Sequence, residues 1–339
     1  MRFGYWLSLS AAALSILFAG SALAADRNAP LLGAAPVPPV LPRAATDLGV
    51  IAPRVVFSNA QFASGGVGLR NHGAGGITIS GVTKPVKAAY LYWAVITDGP
   101  PPPEVSSVLL VRKAPGGVSA KLEIAGTAIG TTGSCWVLPS FTTTVFRGTV
   151  PLSIANGNGL YIVWLKPGAG GSIAGEDPFV GLNLPLWQGA SLVLVGTGTG
   201  KVAIYDDGLA GNKFLGNPGL EYRLELPVNA NSVAEVRWHN IGADGQKIID
   251  PPDEVPFELA NEITTINRVR VAGPGSRSHD SLWNGNSALP LPQLWDDAGF
   301  DITAAAQQGR GRRLGIKHFV TTGGFSDCLV PVANVVALY

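Results

Sequence analysis

Charge is scarce in this chain of 339 residues: Asp, Glu, Lys and Arg together supply 14%, against about 25% in an average soluble domain. That scarcity excludes a disordered polyampholyte and a charge-rich coiled coil. Methionine occurs once, as Met1, so a copper site of the His/Met kind has no methionine to use. Histidine is limited to His72, His239, His279 and His318, and no two stand at metal-binding helical spacing. His318 falls on the apolar face of an alternating run, where a hydrogen-bonded core histidine is expected. Long 3.6-residue periodicity is missing too; the best helical turn is 302–308, capped by Asp301 and stopped by Gly309. What abounds is glycine and proline, 44 and 26 residues, in a chain that is 46% apolar. These counts predict a large, turn-rich, all-β protein.

The first 24 residues read as a secretory signal peptide. Arg2 supplies the basic start, 7–20 is uncharged and mostly apolar, and Ala22-Leu23-Ala24 offers small residues for cleavage. The apolar stretch is short for a span of about 20 residues, so no integral membrane segment is expected after cleavage. Removing 1–24 leaves 23 basic and 23 acidic side chains. A net charge of zero gives no long-range pull toward nucleic acid or anionic membranes. Cys135 and Cys328 are the only cysteines, and in an oxidising compartment the pair reads as a disulfide. Six prolines in 25–53 predict an extended tether.

Beyond the tether, short strand signals alternate with turn signals. Residues 87–96 are apolar at both odd and even positions, which predicts a central strand covered on both faces. Leu220, Tyr222, Leu224 and Leu226 alternate with Glu221, Arg223 and Glu225, and Leu314, Ile316, His318 and Val320 with Arg313 and Lys317. Both read as half-buried strands. A weak internal repeat sets Phe146-Arg147-Gly148-Thr149, the strand 160–165 and the strand 190–195 beside Phe300-Asp301-Ile302-Thr303, the strand 314–319 and 329–338. Each series follows an aromatic-bearing strand, 89–93 or 234–238. The expectation is two packed β-sandwich modules of jelly-roll-like type, 54–198 and 199–339. Gly196-Thr197-Gly198-Thr199-Gly200-Lys201 lacks the spacing and following helix of a phosphate loop, and is expected to be the flexible joint between modules.

Chemistry-bearing patterns are sparse. Ser278-His279-Asp280-Ser281 holds all three triad residue types, but neighbours in a loop diverge, and no Gly-x-Ser-x-Gly elbow exists. Asp206, Asp207, Asp296, Asp297 and Asp301 sit in predicted turns, where carboxylates and carbonyls could hold a structural Ca²⁺, although none matches EF-hand spacing. Turn formation and helix capping explain the same aspartates. Trp136, Trp187, Trp283 and Trp295 fall in predicted loops beside Gly, Asn or Asp. An indole face there could stack on a sugar ring, or plug the open end of a sandwich.

In order along the chain, Ala89-Tyr90-Leu91-Tyr92-Trp93-Ala94, the segment 189–195, Ala203-Ile204-Tyr205-Asp206-Asp207-Gly208, Leu294-Trp295-Asp296 through Thr303, and Asp327-Cys328-Leu329 resemble landmarks of a poorly characterised family of exported, surface-associated bacterial β-sandwich proteins. The resemblance covers about 86–339 and implies export and surface association; it brings no catalytic residues. The function expected is a non-catalytic binding or structural protein of the periplasm or cell surface, contacting glycan or a surface protein through its loops. The alternative is a glycan or glycoconjugate hydrolase with a carboxylate site between the modules, for which Glu176-Asp177, Asp253-Glu254 and Asp296-Asp297 are the dense candidates.

Overall fold

The computed structural model describes residues 46–70, 72–113, 119–133, 140–166, 184–213, 219–245, 262–273, 282–283, 294–309, 311–320 and 329–339. The described residues form an all-β structure of packed sheets. In chain order the strands are β1 (Thr46–Ile51), β2 (Val55–Gly68), β3 (Ala74–Ile79), β4 (Val86–Asp98), β5 (Ser107–Lys113), β6 (Ser119–Ala125), β7 (Thr127–Thr131), β8 (Phe141–Thr149), β9 (Gly159–Trp164) and β10 (Leu186–Tyr205). There follow β11 (Leu220–Glu225), β12 (Val236–Ala243), β13 (Glu262–Ile266), β14 (Val269–Ala272), β15 (Trp295–Asp301), the short helix α1 (Thr303–Gln307), β16 (Arg313–Val320) and β17 (Val330–Leu338).

Two sandwiches with one topology emerge from the pairing. In the first, β2, the first half of β10, β4 and β8 lie side by side, opposite a sheet ordered β3-β9-β5-β6. In the second, the last part of β10, β17, β12 and β15 lie side by side, opposite β11-β16-β13-β14. With the edge strands β7 beside β8 and β1 beside β11 set aside, each sandwich has eight strands in the order 1-8-3-6 over 2-7-4-5, the double Greek key of a jelly roll. The repeat in the sequence maps onto this symmetry. Trp93 of β4 stands opposite Phe146 of β8, and Trp238 of β12 opposite Phe300 of β15. Their rings stack at 5.6 Å and 5.8 Å.

Alternation along the shared strands sorts side chains into three apolar cores. Leu91, Trp93 and Val95 of β4, with Leu192 and Leu194 of β10, fill the first sandwich. Tyr222, Leu224, Trp238, Leu314 and Val336 fill the second. The opposite faces, including Tyr92, Ala94, Val193, Val195, Ile204, Val332 and Val335, join in a third cluster between the sandwiches. β4 is therefore covered on both sides, as its unbroken apolar run predicts.

Two boundaries differ from the sequence reading. The segment 196–201 is no flexible joint: it lies inside the 20-residue β10, which closes the first jelly roll and opens the second. The three glycines there allow close approach. A Cβ on Gly196 would sit 2.2 Å from the Thr83 carbonyl oxygen, on Gly198 2.6 Å from the Ala60 carbonyl carbon, and on Gly200 2.5 Å from the Leu338 carbonyl oxygen. The pairing slips at this point, between Thr197 and Lys201. Likewise the end of the expected tether is structured, since 46–51 form β1, which pairs in parallel with β11 of the second sandwich.

His318 is the expected core histidine. It is 0% exposed, with Nε2 3.1 Å from the Tyr222 hydroxyl and Nδ1 2.9 Å from the Thr264 hydroxyl. Tyr222 donates on to Asn334, which also accepts from the Trp238 indole at 2.7 Å. Burial pushes the His318 imidazole down to about 3, so the folded chain holds it neutral while the unfolded chain protonates it below its ordinary value of about 6.5.

Two outcomes are expected. Gly200→Val should lower stability by about 1–3 kcal/mol in urea unfolding, because the new methyls meet backbone; an unchanged midpoint would refute the close-approach account. For His318 the unfolded state binds the extra proton, so its contribution to stability is lost as pH falls from 6.5 toward 3. From pH 7 to 5 the wild type should lose about 2 kcal/mol more than His318→Gln, and equal losses would mean that the imidazole is not held neutral.

Candidate functional site: the cleft between the sandwiches

Register places the site. On β12, Val236, Trp238 and Asn240 point into or toward the second core, which turns Arg237, His239 and Ile241 to the other face. β15 runs antiparallel with Arg237 opposite Asp301, His239 opposite Gly299 and Ile241 opposite Asp297. β2 crosses this face so closely that a Cβ on Gly66 would lie 2.7 Å from Asp297 Cβ. Further along, the strands diverge and leave a cleft of about 500 Å³. Its walls carry Gln61, Phe62 and Ser64 from β2, Arg237 and His239 from β12, and Phe300 and Asp301 from β15, with Tyr339 at the end of the chain.

At the narrow end Asp297 joins three strands. Its Oδ1 is 2.6 Å from His239 Nε2, and its Oδ2 accepts from the Ser64 hydroxyl at 2.9 Å. The carboxylate side chain is 3% exposed and the imidazole 12%. A carboxylate on Nε2 fixes the proton there and leaves Nδ1 as the acceptor. Nδ1 has space because residue 299 is glycine; a Cβ at that position would be 2.8 Å away. Phe62 meets the ring edge-on at 5.8 Å. At the wide end Arg237 Nε donates to Glu235 at 2.6 Å, which holds the guanidinium above its usual range. Asp301 accepts from the backbone N–H and the hydroxyl of Thr303, and these bonds hold its carboxyl below the usual range.

The aspartates taken as Ca²⁺ ligands have other roles. Asp206 is 0% exposed and accepts from Arg54 at 3.0 Å and the Tyr92 hydroxyl at 2.7 Å, with Arg147 also at 3.0 Å. Two guanidiniums on one carboxylate leave no charge for a cation. Asp207 pairs with Arg147, Asp297 with His239 and Ser64, and Asp301 accepts from the N–H and hydroxyl of Thr303 at the start of α1. Asp296 is buried, 1% exposed. Among the described residues no group of three or more His, Cys, Asp or Glu could hold a metal ion.

The tryptophans move inward as well. Trp187 lies on β10 and Trp295 on β15, not in loops, and both are 0% exposed. The Trp295 indole donates to Ser191 at 2.9 Å and covers Gly189. Trp283 is equally buried, 5.5 Å from the His318 ring and over Gly242. With their faces packed, none of the three offers a ring to a sugar. Trp136, Cys135, Cys328, Glu176, Asp177, Asp253, Glu254 and 278–281 lie outside the described residues.

The sequence reading missed Ser64 and His239. Only the period-two placement of Arg237 and His239 on the wet face of β12 pointed to them. Their shared partner, Asp297, lies 233 and 58 positions away from them.

No family model, curated protein or solved structure matches the chain. No helix among the described residues is long and apolar enough to cross a membrane.

The Asp206 cluster ties the end of β10 to β4 and β8 across the contact between sandwiches. Asp206→Asn should cost about 1–3 kcal/mol in urea unfolding, because the partly buried Arg54 loses its counter-charge and Arg147 keeps only Asp207. Stability equal to wild type would show the cluster to be incidental.

Proposed function

We propose that the protein is exported through the leader 1–24 and works as a binding protein of the periplasm or cell surface, taking a glycan into the cleft between its jelly rolls. The observation that carries this reading is the lining of that cleft. It combines the rings of Phe62 and Tyr339 with the hydrogen-bonding groups of Gln61, Ser64, Arg237 and Asp301. A hydroxyl-rich ligand with apolar ring faces needs that mixture, a few fixed polar groups among flat apolar walls. The near balance of charge in the lining, and zero net charge in the chain without its leader, agree with a ligand that is not a polyanion. Fold alone assigns no function, so the reading rests on the cleft. Export brings with it a Cys135–Cys328 disulfide as the default state of the two thiols.

The test is retention of the full chain, expressed with its leader, on a panel of immobilised bacterial and host polysaccharides. Retention on at least one is expected, weakened about tenfold or more by Phe62→Ala and by Arg237→Ala. Retention indifferent to both substitutions would move the site elsewhere. No retention on any polysaccharide would shift the function to a protein partner.

A further inference from the structure

We propose that the cleft also turns over its ligand: His239 is a general base that activates water to hydrolyse an ester carried by the bound glycan, and Asp297 is its positioning residue. This rests on the cleft being the glycan site and adds a reaction to it.

The arrangement leaves one imidazole nitrogen open as a base and holds each nearby carboxylate in a hydrogen bond. Asp297 accepts from His239 Nε2 at 2.6 Å and from Ser64 at 2.9 Å, which orients the imidazole and stabilises it once it has taken a second proton. Nδ1 keeps its lone pair and opens beside Gly299, which is exposed in the cleft wall. Ser64 is not the nucleophile, because its proton is directed to the carboxylate rather than to the imidazole. Water therefore attacks. A glycosidic bond is the poorer match, since its hydrolysis takes a pair of carboxyl groups flanking the bond. Here Glu235 is held by Arg237, Asp301 by Thr303, and Asp297 by Ser64 and His239.

The reaction balances without a cofactor. Water places its oxygen on the acyl carbon as Nδ1 takes its proton, and the carbonyl π pair moves onto the carbonyl oxygen. The guanidinium of Arg237, on the same face of β12, is the cation of the cleft nearest in register to that charge. Collapse breaks the bond between acyl carbon and sugar oxygen, and Nδ1 returns the proton to the departing oxygen. The products are a carboxylic acid and the free glycan hydroxyl.

Groups from three strands surround the imidazole. Asp297 faces it from β15, Ser64 and Phe62 from β2, and Arg237 and Asp301 lie along the same wall. Asp297→Asn should lower kcat with little change in KM while retention on the polysaccharide persists, because the imidazole loses its orientation and not its ligand.

The experiment follows acetate release from an O-acetylated polysaccharide that retains the protein, and kcat/KM on 4-nitrophenyl acetate, for the full chain and two variants. His239→Asn removes the base. Gly299→Ala keeps His239 and Asp297 but sets a Cβ 2.8 Å from Nδ1, which covers that nitrogen or displaces the ring. Each should lose about a hundredfold or more in kcat/KM, far more than any loss of retention. Retention without acetate release by the wild type, or release that survives His239→Asn, overturns the esterase and leaves the binding reading standing. Absence of both retention and release overturns both.

Discussion

Strand β10 serves two sandwiches, and for that its backbone must pass within contact distance of three others at the change-over. Gly196, Gly198 and Gly200 lie against Thr83, Ala60 and Leu338, where a side chain would occupy the space of main-chain atoms. Given that passage, most of the architecture follows. The strand that completes one jelly roll is the strand that begins the next, so the two inner sheets have no freedom to separate as beads on a linker would. Their outer faces must then be apolar, which explains why β4, β10 and β17 carry Val, Ala, Leu and Tyr on both sides. The third core is thus a consequence of the bend, and burial of its apolar surface in turn holds the bend.

Such a junction also explains where polar groups gather. Inner-sheet faces that pack across the middle must diverge at their margins, because both sheets are twisted. At one margin the gap is closed by charge: Asp206 draws Arg54, Arg147 and Tyr92 together. At the other, β2 touches β15 at Gly66, and the cleft opens beside it with His239 and Ser64, the partners of Asp297, in its wall. A buried carboxylate needs donors, and here they come from Ser64 and His239 on two further strands. The same geometry that satisfies Asp297 therefore delivers an oriented imidazole to a solvent-accessible wall.

Much of this fold was legible in the chain. Alternation placed β11 and β16, the unbroken apolar run placed β4, and the paired series around Phe146 and Phe300 anticipated two sandwiches of one topology. These signals are local, or recur at a fixed offset. Three others misled because they depend on contacts between distant segments. Gly196-Thr197-Gly198-Thr199-Gly200 looks like a joint, since glycine marks both flexibility and close approach, and only the partners at 60, 83 and 338 distinguish them. Trp187 and Trp295 sit beside Gly and Asp, yet those neighbours mark the ends of strands whose indoles pack inward. Asp206 reads as a turn acid, but its guanidinium partners at 54 and 147 decide its role.

The candidate site belongs to the same class of long-range facts. His239, Ser64 and Asp297 acquire chemical meaning only through the register of β12 on β15 and the crossing of β2, neither of which leaves a local trace. Gly299 sharpens the point. Opposite His239 on an edge strand that favours branched side chains, a glycine gives up strand stability, and the space it leaves is the space at Nδ1. The position is exposed, and a Cβ there would meet Nδ1 at 2.8 Å, so glycine both lets the imidazole reach Asp297 and leaves its other nitrogen uncovered. An open Nδ1 at the wall of a polar cleft is what a base requires, and it is the feature by which the imidazole differs from His318, whose two nitrogens are both engaged in the core.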